Sequence, residues 1–241
     1  LGTDLADDHP VSFVYDSALA IRRGQLADPS TLPRAIRLDE TRQLQCTACH
    51  DPHEDRNPKF LRMDNRFGAV CTACHRPRNW GGSTHSVSSA TWKGTGPNPW
   101  PEVAFPTVGE NACLNCHRPH AAGRPQRLLA QSTEPVNCTV CHNGAVAERN
   151  IETELLKPFR HPVESSQWIH DPKEDPPLMP RHVTCADCHN SHAVTPTPAT
   201  PPEVSGRLRG VRGVTIGGGR IDEANFEYEI CLKCHGVKEP I

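Results

Sequence analysis

All 12 cysteines of this 241-residue chain fall into one pattern, C-x-x-C-H, which occurs six times. The units are Cys46/Cys49/His50, Cys71/Cys74/His75, Cys113/Cys116/His117, Cys138/Cys141/His142, Cys185/Cys188/His189 and Cys231/Cys234/His235. Paired cysteines at this spacing have three ordinary explanations: disulfides, a thioredoxin-like redox pair, or the knuckles of a structural zinc site. None of them needs a histidine directly after the second cysteine. Histidine makes up only 14 of 241 residues, so six recurrences at that one place are set by chemistry. C-x-x-C-H is the attachment signature of haem c. Two thioethers fix the porphyrin edge to the chain, and the histidine that follows is held under the iron as its proximal ligand. The reading is six haem c groups, with His50, His75, His117, His142, His189 and His235 as proximal ligands.

Composition bears on what such a chain can fold into. Hydrophobic residues are 36% with all cysteines included, aromatics are 5%, and 24 prolines and 17 glycines interrupt the sequence. By itself this polypeptide has too little apolar surface to offset the entropy of ordering its backbone. Tethered macrocycles at about one per 40 residues would supply the missing core. The expected fold is mostly irregular and loop-rich, with few short helices and little strand, organised around a haem chain. Short helices are predicted around 16–26 and 222–235, the latter stopping at Gly236. A small hairpin is predicted in RLRGVRGVTI at 207–216, and loop over 95–109.

The chain repeats itself three times. CTACHDPH at 46 is followed by CTACH at 71, CLNCHRPH at 113 by CTVCH at 138, and CADCHNSH at 185 by CLKCH at 231. The first cysteines of the two motifs lie 25 residues apart in the first two units and 46 apart in the third, where TPTPATPP reads as a surface excursion. Upstream of each unit stands an isolated histidine: His9 in DDHPV, His85 in STHSV and His161 in RHPVE. The expected organisation is one domain over 1–241, built of three dihaem modules at approximately 1–80, 81–155 and 156–241.

Three residues after the motif histidine, each doubled unit carries a second one: His53, His120 and His192. Three residues span at most about 10 Å, so His50 and His53 cannot approach one iron from opposite faces. The second histidine serves a different haem or none. Six distal positions are assigned to three upstream arms and three such straps: His9, His53, His85, His120, His161 and His192. His182 is a substitute, and His170 reads as a surface or supporting residue. Met63 and Met179 are the only methionines. His/Met ligation therefore cannot be general, and packing is their expected role. Bis-histidine ligation closes the iron to substrate, which argues against an enzyme.

The formal charge of −2 becomes about −8 with six ferric haems and their propionates, and about −14 when reduced. Twenty arginines against six lysines suit carboxylate partners, although a compositional bias toward arginine explains the ratio equally well. No basic stripe or aromatic platform points to nucleic acid. Trp80, Trp92, Trp100 and Trp168 are expected to pack on haem faces or seal loops. Haem c is attached outside the cytoplasmic membrane. The chain opens LGTDLADDHP without a leader and has no stretch of transmembrane length. The expectation is an exported protein, periplasmic or extracellular, whose signal peptide is absent from the mature chain.

CHDPH, FLR at 60–62, RHVTCADCHNSH and YEICLKCHG together resemble the doubled-CxxCH multihaem cytochromes of metal-reducing and related anaerobic bacteria. The third unit departs at Ser191, which replaces the proline of the other two but leaves His192 in place. The resemblance implies electron transfer to redox partner proteins or extracellular acceptors and, in some relatives, polymerisation into extracellular haem filaments. His9 lies 37 residues before the first haem cysteine, so its target need not lie in its own chain. The sequence leaves a filament joined through His9 and a monomeric periplasmic shuttle as alternatives. An intact mass that exceeds the polypeptide by six haems surviving denaturation is expected, with no free thiol; a disulfide or a titratable thiol in the mature protein would contradict it.

Overall fold

The computed structural model describes residues 2, 3, 5–100, 105–165 and 182–236. His170, Trp168 and Met179 lie outside them. The described chain is loop-rich, with short helices and two two-stranded ribbons. Among the described residues no helix is long and apolar enough to cross a membrane.

The motifs make the helices. In four of them the histidine N–H donates to the carbonyl of the first cysteine, His50 to Cys46, His75 to Cys71, His117 to Cys113 and His189 to Cys185, at 2.8–3.0 Å. Each bond closes a single turn, so the cysteines at i and i+3 share one side of it. Longer helices form where a capping residue precedes the motif. Thr133 caps Glu134–His142, with Pro135 in its first turn. Glu229 reaches back to the start of Glu227–His235. That C-terminal helix begins later than the sequence suggests and does end at Gly236. The N-terminal helix spans Ser17–Arg23 between an Asp16 cap and a left-handed Gly24. The 95–109 loop gives way to a helix at Val108–Asn111, opened by a Thr107/Glu110 capping box.

The hairpin predicted at 207–216 sits further along, with Gly213–Val214 paired to Arg220–Ile221 around the Gly217–Gly219 turn. Gly206–Leu208 coils instead into a 3-10 turn. The threonine–proline stretch is exposed but does not leave the body: the Pro202 carbonyl accepts from Glu227 N–H at 3.0 Å and Val204 N–H donates to the Asn225 carbonyl, which ties it to the start of the C-terminal helix. Its ends are tied by Thr195 N–H to the Gly206 carbonyl and Gly206 N–H to the Thr197 carbonyl, and Pro201, Pro202 and Glu203 are exposed.

Apolar packing is thin. One cluster joins Trp100, Val108 and Val146 beside Cys141; another joins Val211, Ala224 and Ile230 beside Cys188. Both collect at haem-motif cysteines. Trp100 Nε1 donates to Asn115 Oδ1 at 2.9 Å, Trp92 Nε1 closes its own loop on the Thr95 carbonyl, and Trp80 meets His192 edge-on at 5.8 Å.

Successive motifs touch through alternating cysteines. The first cysteines of the second and third motifs, Cys71 and Cys113, are within hydrogen-bonding reach, as are those of the fourth and fifth, Cys138 and Cys185. Within each unit the second cysteines lie near enough for electrostatic influence: Cys74 and Cys49, Cys116 and Cys141, Cys188 and Cys234. The six motifs thus follow one another in space in chain order. Gly68 permits one of these approaches. Its φ is +68°, and a Cβ there would lie 2.8 Å from Cys113 Sγ. Gly24 has a similar φ of +70° with nothing within 4 Å. Gly24→Ala is expected to cost about 1–2 kcal/mol of backbone strain. Gly68→Ala adds overpacking and should cost roughly 2–4 kcal/mol. The two chemical denaturation midpoints, measured side by side, test the difference.

Candidate haem-ligand histidine pairs

Five of the six motif histidines face one non-motif histidine each. Ring centroids are 6.1 Å apart for His75 and His9, 6.1 Å for His50 and His120, 6.1 Å for His142 and His85, 6.3 Å for His117 and His192, and 6.0 Å for His235 and His161. A metal–imidazole bond is about 2 Å long and the ring centre lies about 1 Å behind the bonded nitrogen, so two imidazoles in line across one metal ion have centroids about 6 Å apart. Each pair fits a single iron between its rings.

The pairs fall into two classes. Each upstream arm faces the plain motif of its own unit: His9 with His75, His85 with His142, His161 with His235. The second and third straps each face the doubled motif of the preceding unit: His120 with His50, His192 with His117. The strap rings are inclined at 39° and 28° to their partners, while the first two arm rings stand at 78° and 84° and the third at 43°.

Hydrogen bonds at the other ring nitrogen fix these imidazoles. His50 Nδ1 meets the Lys59 carbonyl at 2.8 Å, His117 Nδ1 the Arg127 carbonyl at 2.8 Å and His189 Nδ1 the Arg207 carbonyl at 2.9 Å. A carbonyl accepts only, so Nδ1 carries the proton and Nε2 keeps its lone pair for a metal. The acceptors belong to a recurring turn, Lys59-Phe60-Leu61, Arg127-Leu128-Leu129 and Arg207-Leu208-Arg209, at 9, 10 and 18 residues past the motif histidine. In the first two units the match extends to the backbone: Arg62 N–H donates to the Cys49 carbonyl and Ala130 N–H to the Cys116 carbonyl. Lys59, Phe60, Arg127 and Leu128 all have φ between 51° and 60°. This turn was not singled out in the sequence as a supporting element. The repeated basic-apolar-Leu/Arg triplet is the signal that could have found it.

Arms pack on the straps of the following unit. His9 N–H donates to the Pro119 carbonyl and Ala122 N–H to the Asp7 carbonyl, while His120 Nδ1 donates to buried Asp8 at 2.9 Å. One unit on, Thr84 N–H donates to the Val194 carbonyl and His85 Nδ1 to the Ser191 carbonyl at 3.0 Å. His9, which the sequence left free to reach a neighbouring subunit, lies opposite His75 in its own chain.

Burial, the leading cause, holds the His75, His117 and His142 imidazoles below their ordinary pKa and takes His192 down to about 4, with the neighbouring His117 adding to that shift. All are neutral near pH 7, the form a metal needs. Of the remaining assigned histidines, His53 is exposed and only its backbone N–H is held, by Asp51. His189 has its Nδ1 bond but no ring facing it among the described residues. His182 is half-buried with Nε2 shielded from solvent. The twelve cysteines form no disulfide, and Met63 is half-buried.

Residues 40–79 and 106–147 match the doubled CXXCH motif family. Each span holds one doubled and one plain motif. A stretch of 95 residues, 39% of this chain, is 30% identical to the multiheme cytochrome MtrA of Shewanella baltica (strain OS185). The chain spans 22% of that protein's length. No solved structure matches it. The matched spans, the motif count and the facing imidazoles together support a likeness to multihaem c-type cytochromes with doubled CXXCH motifs.

Proposed function

We propose that this protein transfers electrons along a row of six covalently attached haem c groups, each iron held between two histidines. The observation that carries the reading is the set of five imidazole pairs at 6.0–6.3 Å, each joining one motif histidine to one non-motif histidine. The twelve motif cysteines attach the groups. His50, His75, His117, His142, His189 and His235 are the proximal ligands, and His9, His85, His120, His161 and His192 are distal ligands. His53 is the sixth distal ligand. The haem irons supply reversible one-electron chemistry. The chain's part is to fix the order of the sites and the tautomer of each ligand, and to close both faces of each iron. The modules are approximately 1–80, 81–155 and 156–241, each with one arm, one strap and two motifs.

An exported location, periplasmic or extracellular, follows from where haem c is attached. The partners are redox proteins or extracellular acceptors, with a homopolymer joined by haem ligation across subunits and a monomeric shuttle as the two alternatives. A reductase would need an iron with an open face, and five of six motif histidines already face a second imidazole.

The holoprotein should show low-spin spectra and no appreciable high-spin population. Replacing His120 with Ala should turn one haem of six high-spin, the one on Cys46 and Cys49, and let it bind one equivalent of carbon monoxide. His192→Ala should do the same to the haem on Cys113 and Cys116. A wholly low-spin spectrum in either variant would reject that strap as a ligand. Stoichiometric nitrite or carbon monoxide binding by the native protein would move the reading to a reductase.

A further inference from the structure

We propose that Asp8 acts through the distal ligand His120 to lower the potential of the haem on Cys46 and Cys49 below that of its counterpart on Cys113 and Cys116. The inference rests on the bis-histidine reading above and adds a role for a side chain that binds neither haem nor metal. Six of the assigned ligands have a bonded Nδ1 among the described residues. Those of His9, His50, His85, His117 and His189 meet backbone carbonyls at 2.8–3.0 Å. Of the six, His120 alone meets a carboxylate, Asp8 Oδ1, at 2.9 Å.

A carbonyl and a carboxylate do different things to a ligand. Both fix the ring and its tautomer. A carboxylate also brings negative charge, and a hydrogen bond to an ionised acceptor is shorter and roughly twice as strong as a neutral one. It draws the Nδ1 proton outward and raises the basicity of the nitrogen left for the metal. A more basic ligand favours ferric over ferrous iron, so the potential falls. Reduction of that site takes one electron from a neighbouring haem or a redox partner protein, and the proton stays between His120 and Asp8.

The surroundings leave this charge unscreened. Asp8 is 7% exposed. Its Oδ1 takes both donors, His120 Nδ1 and the Ala121 N–H at 3.3 Å, while Oδ2 is shut off from solvent and accepts no hydrogen bond among the described residues. Charges so placed interact more strongly than they do in water. Two basic side chains of these segments are engaged elsewhere. Arg124, on the same strap, turns to Gln126 and the Ser132 carbonyl. Arg62, bonded to the Thr47 carbonyl inside the first motif, is paired with Asp51. Backbone bonds on either side hold Asp8 in place, Ala122 N–H to the Asp7 carbonyl and His9 N–H to the Pro119 carbonyl.

The chain carries its own comparison. His50 and His117 have the same Nδ1 bond to the same repeated turn, and each faces a strap histidine, with the rings inclined at 39° and 28°. What differs is the arm behind the strap. Asp8 stands on the first arm; from Gly82 to Val87 the second has no acidic residue.

The test is a redox titration of the holoprotein at neutral pH, followed by electron paramagnetic resonance of the low-spin ferric haems. In native protein the signal that disappears in His120→Ala should be reduced at a more negative potential than the one that disappears in His192→Ala. Asp8→Asn keeps an acceptor oxygen for His120 and Ala121 and removes the charge. It should load six low-spin haems and shift the first of these two sites toward ferrous by roughly tenfold, about 59 mV for one electron, with the second nearly unmoved. Asp7→Asn removes the same charge one residue away and should move neither. Six native potentials in Asp8→Asn overturn the proposal and leave Asp8 a purely structural role. An equal shift in Asp7→Asn overturns it too, by making the effect one of net charge. Should Asp8→Asn fail to load haem, the native order decides alone: a haem on Cys46 and Cys49 that reduces at or above the potential of its counterpart overturns the proposal. Failure of the underlying reading looks different: His120→Ala then stays wholly low-spin, or the mass shows fewer than six haems.

Discussion

Two imidazole rings facing each other across about 6 Å are the constraint on which the rest of this molecule depends. Each pair draws together segments far apart in sequence: His9 to His75, His50 to His120, His117 to His192. The apolar clusters hold three buried residues each, and the strands are two residues long. A backbone this irregular has to be fixed by something other than side-chain packing. The hydrogen bonds at Nδ1 hold part of it, covalent haem at the CXXCH motifs supplies more, and an iron held between the paired rings, as proposed, would supply the rest. The conserved geometry at His50 and His117, down to the left-handed pairs Lys59–Phe60 and Arg127–Leu128, shows how closely the supporting turn is specified.

That constraint explains what could be read from the sequence. C-x-x-C-H states its own chemistry, because thioether attachment and proximal ligation need three residue types at fixed spacing. The loop-rich class followed from the shortage of apolar residues. The threefold repeat was visible because each unit carries an arm, a doubled motif and a plain motif. The straps were legible as second histidines that cannot share an iron with the first. Their destination was not, because spacing bounds how far a side chain reaches and says nothing about which neighbour it reaches. The distinction between arm and strap pairing depends on the path of the chain between units, and that path is set by contacts such as His9 with Pro119 and Ala122 with Asp7.

The misplaced hairpin has the same origin. RLRGVRGVTI has the alternation of a small ribbon, but Arg207 must present its carbonyl to His189 Nδ1, and the segment coils there. The ribbon forms after that obligation is met, around the glycines at 217–219. Local preference gave way to a ligand's second hydrogen bond. The long third unit is a variant of the same logic. Its turn comes 18 residues after the motif histidine, against 10 in the second unit, and the added residues form the proline-rich loop whose ends Thr195, Thr197 and Gly206 tie together and whose Pro202 carbonyl meets Glu227 N–H.

A chain of near-identical units faces a problem of pairing. Three arms and three straps, each offering a histidine in similar backbone, could combine in nine ways, and most would misorder the sites. An imidazole by itself does not choose among them, since any ring nitrogen with a free lone pair can bind a metal. Contacts beside the rings do part of that work. The His9 N–H on the Pro119 carbonyl and the Thr84 N–H on the Val194 carbonyl seat the first two arms on the straps of the following units. Asp8 marks one of these seats with a charge, accepting from His120 Nδ1 and from the Ala121 N–H, while the second arm and the third strap carry no charge apart from their histidines. An arm with a buried carboxylate fits a strap that offers it donors, and a neutral strap would leave that carboxylate unpaired.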